Sequence, residues 1–376
     1  MKRLKKILIS IVFLNLVLMM LFTNSVKASS ISNKITTKEY SERYKEYLNL
    51  SEDKKKNALA PAMYDVGIPI NTCNNPLYKA RMLRAGVNTR FTLQNVIPEN
   101  IQIKNQMQTS SCWAFATLSS LETNLALINH NKGKNTEKVY DYSERHMVYA
   151  TSKYFLNDIQ NPTGYNKTQE TGGSWLMSSA YLANGYGAVP EEEMPFENNE
   201  NTIDIEEIKN KTIATQICDT MAYPGYSTLG ENEKAAVISA IKQNVQNYGS
   251  VFAEVHGDIN TDGEQSCYNQ DTSAKYCKDT TSHTVDHAVS IIGWDDNYSV
   301  DNFAGSSKPK SNGAWIVRNS WGEDFGDRGL MYVSYEDANI SSSGMYGIVK
   351  DLDTTNYDNA YLYDELRIIW KITNGI

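Results

Sequence analysis

The chain has 376 residues, of which 41% are hydrophobic and 21% charged. These proportions are those of a folded globular protein with a sizeable core, and they exclude a fibrous or largely disordered chain. The formal net charge is −8, yet residues 29–90 carry eleven basic and six acidic side chains, so the acidic excess lies in the remainder. An acidic body behind a basic segment argues against nucleic-acid binding and indicates that the two parts attract each other.

The N-terminus has the pattern of an export signal. Four cationic side chains among residues 2–6 precede an apolar stretch, residues 7–22, and small residues then stand at Val26 and Ala28. A charged region, an apolar region and a cleavage site in this order predict a signal peptide over residues 1–28. An uncleaved membrane anchor is the alternative, but the stretch is short for a spanning helix and no second one follows. We therefore expect a secreted or cell-surface protein without a stable membrane anchor.

The predicted helices come early in the chain. Residues 36–59 are rich in Lys, Glu and Tyr and predict one or two exposed helices, followed by an irregular segment. From Cys112 to Ile128, leucine and isoleucine recur at intervals of three and four, which predicts a helix that begins at the cysteine. The polar residues 106–111 before it predict a loop. A similar periodicity predicts a helix over residues 231–247.

The predicted strands come late in the chain. They are short β-branched or aromatic runs bounded by Gly, Asn and Asp, and they cover residues 251–255, 287–294, 313–318 and 329–335. Helices in the first half and strands in the second half predict an α+β protein with a helical part and a β part.

The five cysteines of the chain are too few for a disulfide-stapled scaffold, and the odd number leaves at least one thiol unpaired. Cys267 and Cys277 bracket a polar segment and could close a small local loop. Cys112 differs from the others because it opens a predicted helix, where the helix dipole stabilises a thiolate. A thiolate in that place would be a nucleophile. A buried structural cysteine beside a core tryptophan is the alternative.

A cysteine nucleophile needs a base, and the chain offers five histidines. His287 enters an apolar strand that ends in Gly-Trp, and it is the predicted base. His130, His146 and His256 lie in polar or unremarkable segments. His283 is the nearest rival, but it lacks the strand context that the role requires.

Asn319 is the candidate for orienting the base, because an amide suffices when the thiolate and the imidazolium already form a charged pair. It opens the sequence NSWG directly after the predicted strand at 313–318. A surface asparagine in a turn is the alternative, which the order Cys, His, Asn along the chain disfavours.

Several segments together resemble the papain family of cysteine proteases. The motifs are QMQTSSCWAFA at 106–116, YSER at 142–145, GGSW at 172–175, DHAVSIIGW at 286–294 and GAWIVRNSWG at 313–322. The resemblance implies a papain-like two-lobe α+β fold, with a helical lobe, a β-barrel-like lobe and the active-site cleft between them. It also implies that Ser143 caps the helix of the second motif.

The resemblance also implies roles for individual residues. Cys112 would be the nucleophile, His287 the base and Asn319 the residue that orients the base. The side chain of Gln106 and the backbone N–H of Cys112 would form the oxyanion hole. Trp321 would cover the hydrogen bond between Asn319 and His287. The residues expected to contact the substrate are Gly172, Gly173 and Trp321, the two glycines because substrate and backbone must approach closely.

The chain departs from the family pattern without losing a catalytic group. The family's usual disulfide near the nucleophile would join positions 109 and 150, and these are Thr109 and Ala150. The glycine that often precedes the serine before the nucleophile is Ser110. A polar loop over residues 295–312 lengthens the interval between His287 and Asn319, and no clear helical propeptide motif is visible before the matched region.

The resemblance covers roughly residues 90–350 and predicts four parts of the chain. These are a signal peptide over 1–28, a propeptide over 29–90, a papain-like peptidase domain over 91–350 and a tail over 351–376. The scarcity of cysteines and the wording around Cys112 are most similar to the clostridial cell-wall and surface-layer-associated cysteine proteases, which carry a lectin-like domain after the catalytic domain. The tail resembles the start of such a domain, truncated.

The sequence therefore predicts a secreted cysteine endopeptidase that is made as a zymogen. Its expected partners are protein or peptide substrates and its own propeptide, and we expect a monomer. No cofactor or metal is implied, because no Cys/His pair has ligand spacing. The alternatives are a catalytically inactive papain-like binding module, an amidase acting on wall peptides and a surface adhesin. Substrate preference stays open, because the region after Gly326 does not align securely with the family.

Overall fold

The computed structural model describes residues 49–51, 88–133, 138–152, 165, 171–183, 187–197, 207–208, 210–257, 267–281, 284–304, 308–352, 361–363 and 368–370. All of them belong to one unit of the chain, Tyr40–Ile376. The predicted signal peptide and nearly all of the predicted propeptide, including the helices expected over 36–59, lie outside the described residues. No helix within these ranges combines the length and the apolar character that crossing a membrane requires.

The longest described helix, α1 (Cys112–Asn131), begins at the cysteine, as predicted. Residues 112–127 are buried on every face of the helix, which is typical of a helix packed on several sides. Small hydroxyl side chains let neighbouring backbone approach closely. Ser119 Oγ lies 2.9 Å from Ser250 Oγ, and Ser120 Oγ donates to the Ser250 carbonyl at 2.7 Å. These bonds attach α1 to the chain that enters the sheet.

Two shorter helices, α2 (Glu144–Thr151) and α3 (Trp175–Ala183), pack against α1. Helix α2 begins as the sequence predicted, because Ser143 Oγ accepts a hydrogen bond of 2.9 Å from the backbone N–H of His146. Such a cap satisfies one of the free N–H groups in the first helical turn.

The strands form one mixed sheet, with a separate hairpin near the C-terminus. The bounds are β1 Arg90–Thr92, β2 Gln216–Tyr223, β3 Val251–Val255, β4 Tyr268–Asn269, β5 Ala274–Lys275, β6 His287–Asp295, β7 Ala314–Arg318, β8 Leu330–Ser334, β9 Met345–Leu352, β10 Tyr361–Tyr363 and β11 Ile368–Trp370. Neighbouring strands follow the order β2-β9-β3-β6-β7-β8-β5-β4, with β1 paired to β6 and β10 paired to β11. All pairs are antiparallel except β5 with β8.

Helix α4 (Glu231–Tyr248) packs against β6 and β9, and the short α5 (Ala338–Ser342) begins after Asp337, whose carboxylate accepts from two N–H groups of its first turn. Single 3-10 turns occupy Leu93–Asn95, Pro98–Asn100, Glu191–Glu193 and Val300–Asn302. Helix α1 lies against β3, β6 and β9, so the helices of the first half cover one side of the strands of the second half.

The predicted α+β class is confirmed, and helix α4 and the four predicted strands agree with the structure to within one residue at each end, whereas α1 extends beyond the predicted end at Ile128 to Asn131. The expected barrel-like character needs a correction. Within the described residues the sheet path has two free ends, β2 and β4, so the sheet is open and does not close into a barrel. The loop that the sequence allowed between Cys267 and Cys277 is closed by a disulfide around the β4–β5 hairpin.

Candidate active site

Cys112 is a free, buried thiol on the first residue of α1. The backbone N–H groups of Trp113 and Ala288 hydrogen-bond to its sulfur. Ala288 is the second residue of β6, so this contact places the sulfur beside the start of that strand. The helix N-terminus and the two N–H donors favour negative charge on the sulfur.

His287 is the first residue of β6 and is also buried. Its Nε2 lies 2.7 Å from Oδ1 of Asn319, the residue that follows β7. Because β6 and β7 are hydrogen-bonded neighbours, the register of the sheet brings together two side chains that are far apart in sequence.

The tautomer of His287 follows from the second partner of the same amide oxygen. Asn319 Oδ1 also accepts a hydrogen bond of 2.8 Å from the backbone N–H of Ser320, which can only donate. The oxygen of the amide therefore faces His287, and Nε2 must carry the proton. In the neutral ring this leaves a lone pair on Nδ1, which makes no hydrogen bond within the described residues. A base with a free lone pair thus lies one residue from the N–H that contacts the cysteine.

Trp321 covers this pair, as the sequence predicted. Its ring stacks on the His287 imidazole with centroids 4.5 Å apart and the planes at 28°. The Phe325 ring in turn meets the Trp321 ring edge-on, with their centroids 4.9 Å apart. An apolar lid of this kind keeps water from competing for the bond between His287 and Asn319.

Gln106 is buried and firmly held close to the same place. Its Oε1 accepts from Ser320 Oγ at 2.7 Å, and its Nε2 donates to the carbonyl of Thr109 at 2.6 Å. Its backbone N–H donates to the Ser320 carbonyl at 2.7 Å. One hydrogen of Nε2 is left for a further acceptor. Met107, the next residue, has φ 55° and an exposed side chain, so the loop into α1 is a tight one.

The predicted substrate-binding glycines also lie close to the nucleophile. A Cβ on Gly173 would be 2.4 Å from the ring of Trp113, the neighbour of Cys112. No other residue type fits there without moving that ring, so the glycine is required by close packing. Gly172, the preceding residue, is also buried, and the two glycines lie in the segment that leads into α3.

Burial acts on the thiol and the imidazole in opposite directions. It raises the pKa of Cys112 to about 12, partly offset by the Ala288 and Trp113 N–H groups, while the charges of Asp286 and Glu254 raise it further. Burial also lowers the pKa of His287 to about 4, against the effects of Asn319 and Asp286. Each group alone is therefore held neutral, and charge separation is favourable only when the proton passes from one to the other and the two charges attract.

A cluster of charged side chains that the sequence did not predict lies next to the site; its members Glu122 and Glu144 are buried, while Lys104 and Asp141 are partly exposed. Lys104 Nζ lies 2.8 Å from Glu122 Oε1, 2.6 Å from Asp141 Oδ1 and 2.8 Å from Glu144 Oε1. Arg318 donates to the carbonyl of Gln102 at 2.9 Å. Lys104 is two residues from Gln106 and Arg318 is next to Asn319. The signal was present, because a charged residue ending the apolar strand β7 needs a buried partner.

This cluster contains more carboxylates than cations, and the pKa values of Lys104 and Glu144 are both raised in it. Burial would lower the pKa of Lys104, but the three carboxylates raise it well above its ordinary value. Burial raises the pKa of Glu144 to about 8 despite the nearby lysine. Removing one partner of such a cluster leaves an uncompensated buried charge, which costs about 3–5 kcal/mol.

A buried thiol at a helix N-terminus, an imidazole with a free lone pair, an amide that bonds to that imidazole and a held glutamine are together the groups that thiol-dependent acyl transfer requires. The family comparison agrees with this class. Residues 93–350 match the family described as papain family cysteine protease, and the chain belongs to that family. The papain-like fold that the sequence predicted is therefore confirmed.

Individual relatives are distant. Human cathepsin L2 is 23% identical over 63% of this chain and 58% of its own length, and vignain from Phaseolus vulgaris is 26% identical over 65% and 54%. The chain thus spans little more than half the length of these curated relatives.

Solved structures include two of the clostridial cysteine protease Cwp84. The form after propeptide cleavage is 25% identical, with a TM-score of 0.59, over 74% of this chain and 61% of that one. The form with protease and lectin-like domains, described as a surface-layer-associated protein of Clostridium difficile, is 24% identical with a TM-score of 0.62, over 84% and 61%.

Proposed function

We propose that this chain is a cysteine endopeptidase, with Cys112 as nucleophile, His287 as general base and acid, and Asn319 as the orienting residue. The observation that carries the proposal is the double acceptance by Asn319 Oδ1. In that geometry Nε2 of His287 must carry the proton, which leaves the lone pair of Nδ1 to accept the proton of the Cys112 thiol. A merely structural histidine would have no reason to keep one ring nitrogen unbonded in a buried place.

The reaction proceeds by acyl transfer. His287 Nδ1 takes the proton of Cys112, and the sulfur forms a bond to the peptide carbonyl carbon while the carbonyl electrons move onto oxygen. The backbone N–H of Cys112 and Nε2 of Gln106 donate to that oxyanion. The C–N bond then breaks, the imidazolium gives its proton to the leaving amine, and an acyl-enzyme remains. Water, deprotonated by His287, releases the acid and restores the thiol.

Export and activation form a second part of the proposal. A signal peptide over 1–28 would direct the chain out of the cell, a propeptide over 29–90 would block the cleft, and residues 91–350 would form the peptidase domain. The relative Cwp84 exists in a form after propeptide cleavage, which supports activation by cutting. Trp294 Nε1 donates to the Asn88 carbonyl at 2.9 Å, and the Asp296 N–H donates to the Thr89 carbonyl at 2.8 Å. These bonds move the proposed end of the propeptide from residue 90 to just before Asn88, because a cut at residue 90 would lose both of them.

Substrates and location extend the same proposal. A secreted enzyme of this kind would act on cell-surface or matrix proteins, and the surface-layer association of Cwp84 supports that substrate class. We propose that the tail over 351–376, which contains the β10–β11 hairpin, corresponds to the start of a lectin-like domain.

The experiment compares residues 29–376 as wild type and as Cys112→Ala in mild reductant that spares the Cys267–Cys277 disulfide. Intact mass and hydrolysis of a mixed peptide library are followed, with and without an epoxide that alkylates thiols. We expect wild type to trim itself near residue 88 and to cleave peptides, and Cys112→Ala to stay full length and inactive. If both proteins are inactive even after the N-terminal segment is removed, the endopeptidase proposal is wrong and an inactive binding module is the better reading. Cleavage of wall peptides but not of proteins would instead identify an amidase.

A further inference from the structure

A second imidazole–carboxylate pair lies directly beside the proposed dyad. Strand β3 pairs with β6 so that Val255 is opposite His287. The residue after β3 is His256 and the residue before β6 is Asp286, so these two side chains meet at the same end of the sheet. His256 Nδ1 is 3.6 Å from Asp286 Oδ2.

The pair is held by backbone on both sides. His256 Nδ1 donates to the carbonyl of Thr284 at 2.7 Å, and the N–H of Gly257 donates to Asp286 Oδ1. A Cβ on Gly257 would lie 3.1 Å from both that oxygen and His287 Cβ, so a glycine is what allows this close approach. The side chains of His256 and Asp286 are 13% and 33% exposed. The pair is therefore ordered, and solvent protons still reach it.

The charge of this pair acts on both members of the dyad. The negative charge of Asp286 raises the pKa of Cys112 and that of His287. The other charged groups are Glu254 on β3, which acts on Cys112, and Lys275 on β5, which acts on His287 and His256. Burial alone would lower the pKa of His256, but the hydrogen bond and charge of Asp286 and the Thr284 carbonyl raise it above its ordinary value. Of these neighbours, His256 is the one whose charge changes near neutral pH.

We propose that His256 is a positioning residue for the dyad: through its pairing with Asp286 it clamps the start of β6 and sets, as a function of pH, the charge beside Cys112 and His287. The proposal rests on the assignment of Cys112 and His287 as the reacting groups. His256 touches no substrate in this scheme, and its effect reaches the reaction through Asp286.

The direction of the effect follows from the charges. At acid pH, protonated His256 offsets Asp286, so the thiolate of Cys112 forms more easily and activity persists to lower pH. At alkaline pH, neutral His256 leaves the Asp286 charge uncompensated, which keeps His287 protonated in the ion pair to higher pH. The acid limb of the pH profile of kcat/KM therefore lies at lower pH, and the alkaline limb at higher pH, than a fixed charge at this position would allow.

The kinetic test uses His256→Asn, which keeps a donor at the position of Nδ1 but cannot take a charge, and His256→Lys, which carries a positive charge throughout. In His256→Asn we expect kcat/KM to fall about two- to fourfold at pH 5 and to match wild type at pH 8.5, because removal of one positive charge beside Asp286 moves the acid limb of the profile up by about half a pH unit. In His256→Lys we expect the opposite, an unchanged acid limb and about a two- to fourfold loss at pH 8.5. The matched control is His130→Gln, which removes an exposed imidazole at the far end of α1.

A uniform loss at every pH in His256→Asn would overturn the proposal, since that is the result of a lost clamp without a charge effect. Unchanged profiles in both variants would overturn it as well.

A second measurement does not depend on activity. In Cys112→Ala protein, NMR titration of the His256 ring is expected to give a pKa above the ordinary value of about 6.5, falling when Asp286→Asn is added. A His256 pKa at or below the ordinary value, unmoved by Asp286→Asn, would overturn the pairing. If the titration behaves as expected while wild type hydrolyses no peptide, the pairing stands and the proposed function is what has failed.

Discussion

Two histidines are buried in the described part of the molecule, one in helix α2 and one at the start of strand β6. His146 is fully buried and His287 is 4% exposed. Burial lowers the pKa of each to about 4. By burial and acidity the two side chains are nearly the same, and yet only one of them lies in the proposed active site.

The difference lies in their hydrogen bonds. His146 uses both ring nitrogens: Nδ1 is 2.6 Å from the Tyr181 hydroxyl, and Nε2 is 3.1 Å from the carbonyl of Ile208. His287 uses only Nε2, toward Asn319, and keeps Nδ1 for the thiol side. A shifted pKa therefore identifies a buried histidine in this protein, and the unbonded lone pair beside a cysteine identifies the reactive one.

The largest expected effect comes from the same substitution at the two sites. His287→Leu should lower kcat/KM at least about 1,000-fold, because the thiol loses its base, while the free energy of unfolding changes by about 1 kcal/mol or less. His146→Leu should lower the free energy of unfolding by about 2–4 kcal/mol, because the Tyr181 O–H loses its acceptor and the Ile208 carbonyl loses its donor. Its kcat/KM per folded molecule should stay within about twofold of wild type. Peptide hydrolysis and urea unfolding measure the two quantities.

The distinction between the two histidines would be wrong if His146→Leu lowered kcat/KM as much as His287→Leu, or if the two substitutions exchanged their effects on kcat/KM and on stability. A His146→Leu protein that is well folded by circular dichroism but inactive would show that His146 takes part in the reaction. A His287→Leu protein with more than a tenth of wild-type activity would remove His287 from the mechanism.

The sequence predicted a role for one of these histidines and none for the other. His287 was found because it opens an apolar run and because Cys112 and Asn319 lie in recognisable contexts on either side of it. The segment around His146 is unremarkable in sequence and predicts no role for it. Its partners, Tyr181 and Ile208, lie on other parts of the chain, and no local pattern shows which distant groups a side chain will meet.

The same limit applies to the rest of the structure. Strand and helix positions were predictable because hydrophobic periodicity is a local property, and β3 was placed to the residue. The order of strands in the sheet, its open edges and the meeting of His256 with Asp286 depend on register between distant segments. The cluster around Lys104 was missed for the same reason, although an arginine ending β7 was a usable clue.

A smaller effect is expected when the partner of each imidazole is removed. Asn319→Ala should lower kcat/KM about 10- to 100-fold, the value of one hydrogen bond to a charged ring, about 1.5–3 kcal/mol. Tyr181→Phe removes the corresponding bond to His146 and should cost about 1 kcal/mol of stability with no change in kcat/KM. Asn319→Asp, which keeps an acceptor at Oδ1, should recover part of the activity. Equal activity in Asn319→Ala and wild type would mean that the ring is oriented by Trp321 alone.

The smallest expected effect is the pH dependence of the free energy of unfolding, in which the two histidines are expected to behave alike. In the unfolded chain each imidazole binds a proton near pH 6.5, but in the folded protein neither does so until about pH 4. Each therefore contributes stability that is present above pH 6.5 and is lost as the pH falls toward 4. Between pH 6.5 and 5.5 the loss is about 1 kcal/mol for each ring.

This loss must be measured as a difference, because Glu144 acts in the opposite direction. Its pKa of about 8 means that the folded protein keeps a proton that the unfolded chain releases, so acidification over this range is stabilising at that site. Urea unfolding of Cys112→Ala protein, with and without His287→Leu, cancels the Glu144 contribution. The quantity compared is the difference in the free energy of unfolding between Cys112→Ala protein and the same protein with His287→Leu. We expect this difference to be about 1 kcal/mol smaller at pH 5.5 than at pH 6.5. We expect His146→Leu, added to Cys112→Ala, to give the same result. If only His146→Leu narrows the difference, His287 is charged in the folded Cys112→Ala protein at pH 5.5, and burial does not hold this ring neutral as it holds His146.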